Sequence, residues 1–169
     1  YDNYSASKAC AEIAFHAYNK SFFNNKNLSC VSARAGNVIG GGDFKSDRIV
    51  PDIIRSLSKN KKILIRSPKA IRPWQHVMEP LSGYLLLGAK LFQKKLNYKL
   101  YPSWNFGPNL KNCKTVKYLV NYFKKHWGDK KIIITFHKKK NFYESKLLKL
   151  NIQKAKKELG WKPTLDINT

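Results

Sequence analysis

The chain is poor in acid: ten Asp and Glu stand against 33 Lys and Arg, a net charge of +23 over 169 residues. Such an excess admits binding to nucleic acid or another polyanion. Arginine, however, is scarce too, with five residues against 28 lysines, and arginine is the side chain that grips phosphates and base edges with two prongs. The lysines fall in short scattered runs (Lys61-Lys62, Lys124-Lys125, Lys130-Lys131, Lys138-Lys139-Lys140) without interleaved aromatics. They read as solvated faces, and a non-catalytic basic nucleic-acid-binding module is kept as the alternative of a different class. No apolar run reaches the roughly 20 residues that a bilayer span needs. The strongest, around Leu85-Leu86-Leu87, soon meets Lys90. The opening residues have no signal-peptide layout. Cys10, Cys30 and Cys113 form no CxxC or metal spacing and read as reduced thiols of a cytoplasmic protein. The glycine-rich fingerprint of a dinucleotide site is also missing. Gly40-Gly41-Gly42 follows a strand pattern, but Asp43 comes next and no helix opens at the right place.

What is present begins with Tyr4-Ser5-Ala6-Ser7-Lys8. The tyrosine and lysine are four apart and enter a helical apolar pattern, so they share one helix face. An ammonium beside a phenol favours the phenolate, and a phenol tuned in that way can take a proton from a sugar hydroxyl. From spacing alone, a surface helix pair is the favoured reading of these two residues.

Helix and strand patterns alternate along the chain. The periodicity predicts helices over 4–23, 50–57, 76–96, 115–127 and 152–159, the last stopped by Gly160 and Pro163. Short strands are predicted at 28–33, 63–66, 104–106 and 131–136, with a further extended piece at 147–150. Residues 24–27, 36–43 and 68–73 read as turn or loop. Tyr84, Phe92 and Trp127 are taken as core aromatics, and Trp74 and His76 as structural. The alternation argues for an α/β fold.

The ordered strings then become specific. Tyr4-x-x-x-Lys8 followed by Val31-Ser32-Ala33-Arg34-Ala35-Gly36-Asn37-Val38-Ile39-Gly40 resembles the second half of an extended short-chain dehydrogenase/reductase. Arg72-Pro73-Trp74-Gln75-His76-Val77, Glu79-Pro80-Leu81-Ser82-Gly83-Tyr84 and Asn105-Phe106-Gly107-Pro108 narrow this to the family's nucleotide-sugar 4,6-dehydratases, in the branch acting on CDP-glucose. The resemblance covers essentially the whole chain. It implies the C-terminal part of a Rossmann-like doubly wound domain plus a smaller mixed α/β substrate-binding domain. Remaining Rossmann elements would lie near 1–35 and 76–106, and the substrate-binding subdomain mainly at 36–75 and 107–169. It also implies a carboxy-terminal fragment, inactive alone, whose NAD-carrying amino-terminal half lies elsewhere.

By the same resemblance, Tyr4 is the base at the C4 hydroxyl, and Lys8 tunes it and reaches the cofactor, NAD. The backbone at Ala35 passes the nicotinamide. Asn37 reaches the substrate's phosphate or hexose. Arg48 and Ile49 pack on the nucleotide base, and Arg72 grips the diphosphate with its planar fork. Each has a plainer reading: a turn asparagine at 37, a solvated charge at 48, a stray loop arginine at 72. Glu144 is a further position near the nucleotide, although Tyr143 beside it departs from the family pattern. Asn3 and Phe44 stand where relatives carry proline and tryptophan. The implied reaction is dehydration of CDP-glucose to CDP-4-keto-6-deoxyglucose, in a cytoplasmic homodimer serving O-antigen synthesis, with no metal, nucleic acid or membrane. Another nucleotide-sugar epimerase or dehydratase of the same fold is the near alternative.

Overall fold

The structure, a computed structural model, describes residues 2–23, 28–96, 102–128, 133–136 and 145–168. The turn expected at 24–27, Glu144 with Tyr143, and the basic runs at 130–131 and 138–140 lie outside the described residues.

Helix α1, Asn3–Tyr18, begins where Asp2 caps it. The Asp2 backbone is extended, and its carboxylate accepts from the Ser5 amide at 2.8 Å and the Ser5 hydroxyl at 2.7 Å. That satisfies amides which the first helical turn leaves orphaned. A π-helical turn, Asn19–Phe23, continues the helix. None of the α1 residues is buried, and Ile13, Tyr18 and Phe22 stay largely open.

Strand β1, Ser32–Ala35, pairs in parallel with β5, Ser103–Phe106, with Ala35 opposite Phe106. Strand β2, Asn37–Ile39, pairs in parallel with β4, Ile71–His76, and β4 pairs antiparallel with β6, Cys113–Thr115. Strand β3, Ile63–Ile65, pairs in parallel with β7, Ile134–Phe136. Helices α2 (Ile49–Ser58), α3 (Met78–Phe92) and α4 (Val116–His126) complete the α/β arrangement.

Two apolar clusters hold these pieces together. One joins Ile53 and Leu57 of α2 to Ile63, Ile65, Trp74, Leu119 and Val120. The second packs Leu87 of α3 on Trp104 and Phe106 of β5, and on Ile152, Ala155, Leu159 and Trp161 near the carboxy end. Tyr84 and Trp161 both meet the Phe106 ring edge to face, at 5.4 and 5.1 Å, a favoured aromatic geometry. Gly83 lets α3 come this close to β5, since a Cβ there would strike the Phe106 ring. Glu79, 4% exposed, binds the carboxy-terminal segment: its Oε1 accepts from the Thr164 amide and hydroxyl, both at 2.9 Å, and from the Leu165 amide. A buried carboxylate needs such donors.

The structure corrects several expectations. Residues 36–43 are not all loop, because β2 runs through them. Residues 68–73 are loop only up to Ala70. Arg72 and Pro73 belong to β4, where Pro73 ends the pairing with β6 and Trp74 begins the pairing with β2. Proline has no ladder donor, and here it occupies the changeover between partners. His76 ends β4 instead of opening a helix, and α3 starts at Met78. The first strand lies at Ser32–Ala35, later than its apolar signal. Phe92 is 89% exposed and Trp127 is 42% exposed, so neither is core. Phe92 lies on the open side of α3, although its neighbour Leu91 packs against the second cluster, and Trp127 lies just past the end of α4.

Gly83→Ala should lower stability by about 1–3 kcal/mol, as overpacking does, read as a reduced thermal midpoint. An unchanged midpoint would mean that α3 and β5 are not in contact at this point.

Candidate functional site

Tyr4 and Lys8 stand one turn apart near the start of α1, and the Lys8 ammonium lies 5.4 Å from the Tyr4 ring centroid. Both are exposed. Glu12 follows one turn later, so the three residues form one stripe along the helix. Glu12 ties that stripe to β1. Its Oε1 accepts from Arg34 Nε at 2.8 Å and from Ser32 Oγ at 2.6 Å, while Oε2 accepts from Arg34 Nη2 at 2.6 Å. Seven residues further along, Asn19 donates to the Cys30 carbonyl just before β1.

These ties fix the direction of α1. Asn19 meets Cys30 and Glu12 meets Ser32 and Arg34, so helix and strand run antiparallel. From Glu12 back to Tyr4 the helix rises about 12 Å. From Arg34 on to Asn37 an extended chain advances about 10 Å. The phenol and ammonium therefore lie level with the carboxyl end of β1, where Ala35 gives way to Gly36 and Asn37. Open parallel sheets bind ligands at that end.

Asn37 and Arg72 come to the same sheet. Asn37 pairs with Trp74, and Arg72 precedes Trp74 by two, so alternation puts all three on one face. Arg72 is 9% exposed, and its Nη1 donates to the Ile71 carbonyl at 3.0 Å. Gln75, next along β4, donates to the Phe106 carbonyl at 3.0 Å, which also accepts from the Gly36 amide at 3.1 Å. That shared carbonyl locks the β1–β5 pair to the β2–β4 pair at the level of Ala35 and Asn37. The Trp74 indole donates to the Lys114 carbonyl, in keeping with a structural role.

Arg48 and Ile49 stand apart from this group in their local contacts. Arg48 caps α2 in position only and pairs with Asp43 at 3.0 Å. Its guanidinium holds the Asp43 carboxyl below its ordinary range. Ile49 packs against the first apolar cluster. Arg55 pins the same stretch to α2, donating to the Phe44 carbonyl at 2.7 Å and pairing with Asp52. A cleft of about 490 Å³ opens beside it, lined by Ile49, Asp52, Arg55, Lys62 and Arg66 among others. Among the described residues no group of three or more His, Cys, Asp or Glu could hold a metal ion.

Glu12 and Arg34 went unread as functional residues. The available signal was the spacing Tyr4, Lys8, Glu12, one residue per turn on a single stripe. The two-pronged Arg34 contact, helped by the Ser32 hydroxyl, holds the Glu12 carboxyl well down, to about 2.

Comparison with known proteins bears on the family and the fold. The family model described as "NAD dependent epimerase/dehydratase family" matches residues 2–99. A CDP-glucose 4,6-dehydratase of Salmonella typhimurium is 44% identical over 168 residues, 96% of this chain and 46% of that protein. The chain thus spans about half the length of this relative. Among solved structures, a UDP-glucuronic acid 4-epimerase from Bacillus cereus, crystallised with UDP-glucuronic acid and NAD, superposes with a TM-score of 0.79 at 19% identity, covering 96% of this chain and 48% of its own. A dTDP-glucose 4,6-dehydratase from Bacillus anthracis, crystallised with NAD, gives 0.74 at 23% identity, covering 98% and 48%. At those identities the likeness is one of fold.

The Glu12 tie carries a pH dependence. Its carboxyl titrates lower folded than unfolded, so its contribution is complete above about 4.5 and disappears as pH falls through about 2. The thermal midpoint should fall across that window, and less so in Glu12→Gln. An equal fall in both proteins would remove Glu12 from the tie.

Proposed function

We propose that this chain, which belongs to the NAD dependent epimerase/dehydratase family, is the carboxy-terminal half of an enzyme that dehydrates CDP-glucose to CDP-4-keto-6-deoxyglucose. The observation that carries the chemistry is the Tyr4–Lys8 pair, held level with the carboxyl end of β1 by Glu12. The substrate is supported by the 44% identity to a CDP-glucose 4,6-dehydratase, spread over nearly the whole chain.

Tyr4 takes the proton of the sugar's C4 hydroxyl. Lys8 supplies the positive charge that favours the phenolate. Asn37, with an amide that both donates and accepts, orients the hexose or its phosphate, and Arg72 offers a planar fork to the diphosphate. Arg48 and Ile49 line the approach of the nucleotide base from the start of α2. The ketone formed at C4 acidifies C5, so water can leave across C5 and C6.

The residues fit the nicotinamide end of NAD: an ammonium, a phenol, and a small residue, Ala35, whose backbone lies at the strand end. They do not include a glycine-rich dinucleotide turn, which we assign to the amino-terminal half of the whole protein. When bound, NAD supplies the hydride acceptor and returns the hydride to the sugar. Tyr4, Lys8 and the Ala35 backbone would hold its reactive end.

We further place the enzyme in the cytoplasm, as a homodimer in O-antigen synthesis, with no nucleic-acid or membrane partner. The open faces support a partner surface: α1 has no buried residue, and Leu85 and Phe92 of α3 are 77% and 89% exposed. Among the described residues no helix is long and apolar enough to cross a membrane. An epimerase or dehydratase for another nucleotide sugar is the second reading, favoured by the fold likeness to a 4-epimerase.

The full-length protein with NAD should convert CDP-glucose to a 4-keto-6-deoxy product and leave UDP-glucose and dTDP-glucose largely unreacted. Epimerisation of UDP-glucose with CDP-glucose untouched would sink the reading. Lys8→Ala should lower turnover by about 100-fold or more. Turnover within a few-fold of the parent would take the pair out of the mechanism.

A further inference from the structure

The stripe that carries Tyr4 and Lys8 also carries a carboxylate that could compete for the lysine. Glu12 stands one turn from Lys8 on the side away from Tyr4, and oppositely charged side chains at that spacing attract. A lysine drawn toward Glu12 is drawn away from the phenol. Both Glu12 oxygens are nevertheless occupied from β1: Arg34 reaches one through Nε and the other through Nη2, and Ser32 adds a third donor. Lys8 lies over the Tyr4 ring instead.

We propose that Arg34 is a positioning residue for the reaction. Its guanidinium occupies and neutralises Glu12, so that the Lys8 ammonium remains with Tyr4. The inference rests on the functional reading above for the role of Tyr4, but its electrostatic content belongs to this chain alone. A fork is needed because a single ammonium covers one carboxylate oxygen and leaves the other open. Among the described residues the charged groups around the pair are few; Asp2, two residues before Tyr4, holds a carboxylate that accepts from the Ser5 amide and hydroxyl. Lys8 and His16 flank Glu12 one turn away on α1, and His16 adds a weaker attraction to the same carboxylate. From the carboxy-terminal segment, Lys154 lies close enough to Arg34 to feel its charge, and Glu158 faces Lys154. On β5, Asn105 accepts from Arg34 Nη1 at 3.4 Å, which steadies the fork without adding charge.

Without Arg34, an unneutralised carboxylate would face Lys8 along the stripe. It would both attract the ammonium and oppose the negative charge that forms on the phenol. The test uses the full-length protein with Arg34→Leu, Glu12→Gln and the double variant, read by the pH profile of kcat on the nucleotide sugar that the parent turns over. Arg34→Leu should move the acidic limb to higher pH by about 0.5–1 unit, with KM changed less than about threefold. Adding Glu12→Gln should bring the limb back, because the carboxylate to be shielded is then gone. A limb that stays in place in Arg34→Leu, or moves equally in the double variant, overturns the proposal.

If Arg34→Leu does not fold, Arg34→Lys takes its place. It should give a smaller shift in the same direction, again reversed by Glu12→Gln, and no shift overturns the proposal. An NMR titration of ring-labelled tyrosine, with the Tyr4 signal assigned through Tyr4→Phe, should show the same displacement and reversal. That readout separates the two claims: a parent protein inactive on CDP-glucose defeats the substrate assignment, whereas an unmoved Tyr4 titration in Arg34→Leu defeats the shield.

Discussion

The contact between Glu12 and Arg34 is the interaction on which the proposed site depends. Helix α1 contributes nothing to either apolar cluster and has no buried residue. Among its described contacts, three polar links orient it against β1: Glu12 to Arg34, Glu12 to Ser32, and Asn19 to the Cys30 carbonyl. Two-pronged, charge-assisted bonds are strong and directional, and the first of these sets how far Tyr4 and Lys8 project past the strand end. A helix placed by packing alone would tolerate sliding. One placed by a fork on a carboxylate does not.

Scarcity of acid gives the other ion pairs a similar meaning. Arg34, Arg48, Arg55 and Arg66 each face a carboxylate. Glu79 accepts from the backbone of the carboxy-terminal segment, and Asp2 caps α1. Among the described residues, several of the few carboxylates are thus engaged in ion pairs, in a helix cap or at a joint between elements, while most of the lysines remain at the surface.

Much of this was legible in the sequence, for reasons that can be named. The alternation of helix and strand periods is a local property, and it located α2, α4 and the pieces around Ile63 and Trp104. The Tyr4–Lys8 spacing is likewise local. Strand β4 was hidden because Arg72-Pro73 reads as loop until both neighbouring strands are known, and only then does proline's missing donor fall at a change of partner. Glu12 was hidden because a glutamate on a helix is usually solvated, and its partner comes 22 residues later. Phe92 was misjudged because an aromatic side chain does not say which side of its helix is covered: Leu91 beside it packs on the second cluster while Phe92 stays open.

The central claim is that α1 carries Tyr4 to the carboxyl end of β1, where a hexose tethered by its diphosphate can reach it. A crystal structure of the full-length protein with NAD and CDP-glucose tests this most directly. The account predicts the Tyr4 hydroxyl within about 3 Å of the sugar's O4, Arg34 still forked on Glu12, and Asn37 and Arg72 on the substrate side of the sheet. A sugar bound elsewhere, with the phenol turned toward bulk water, would contradict it.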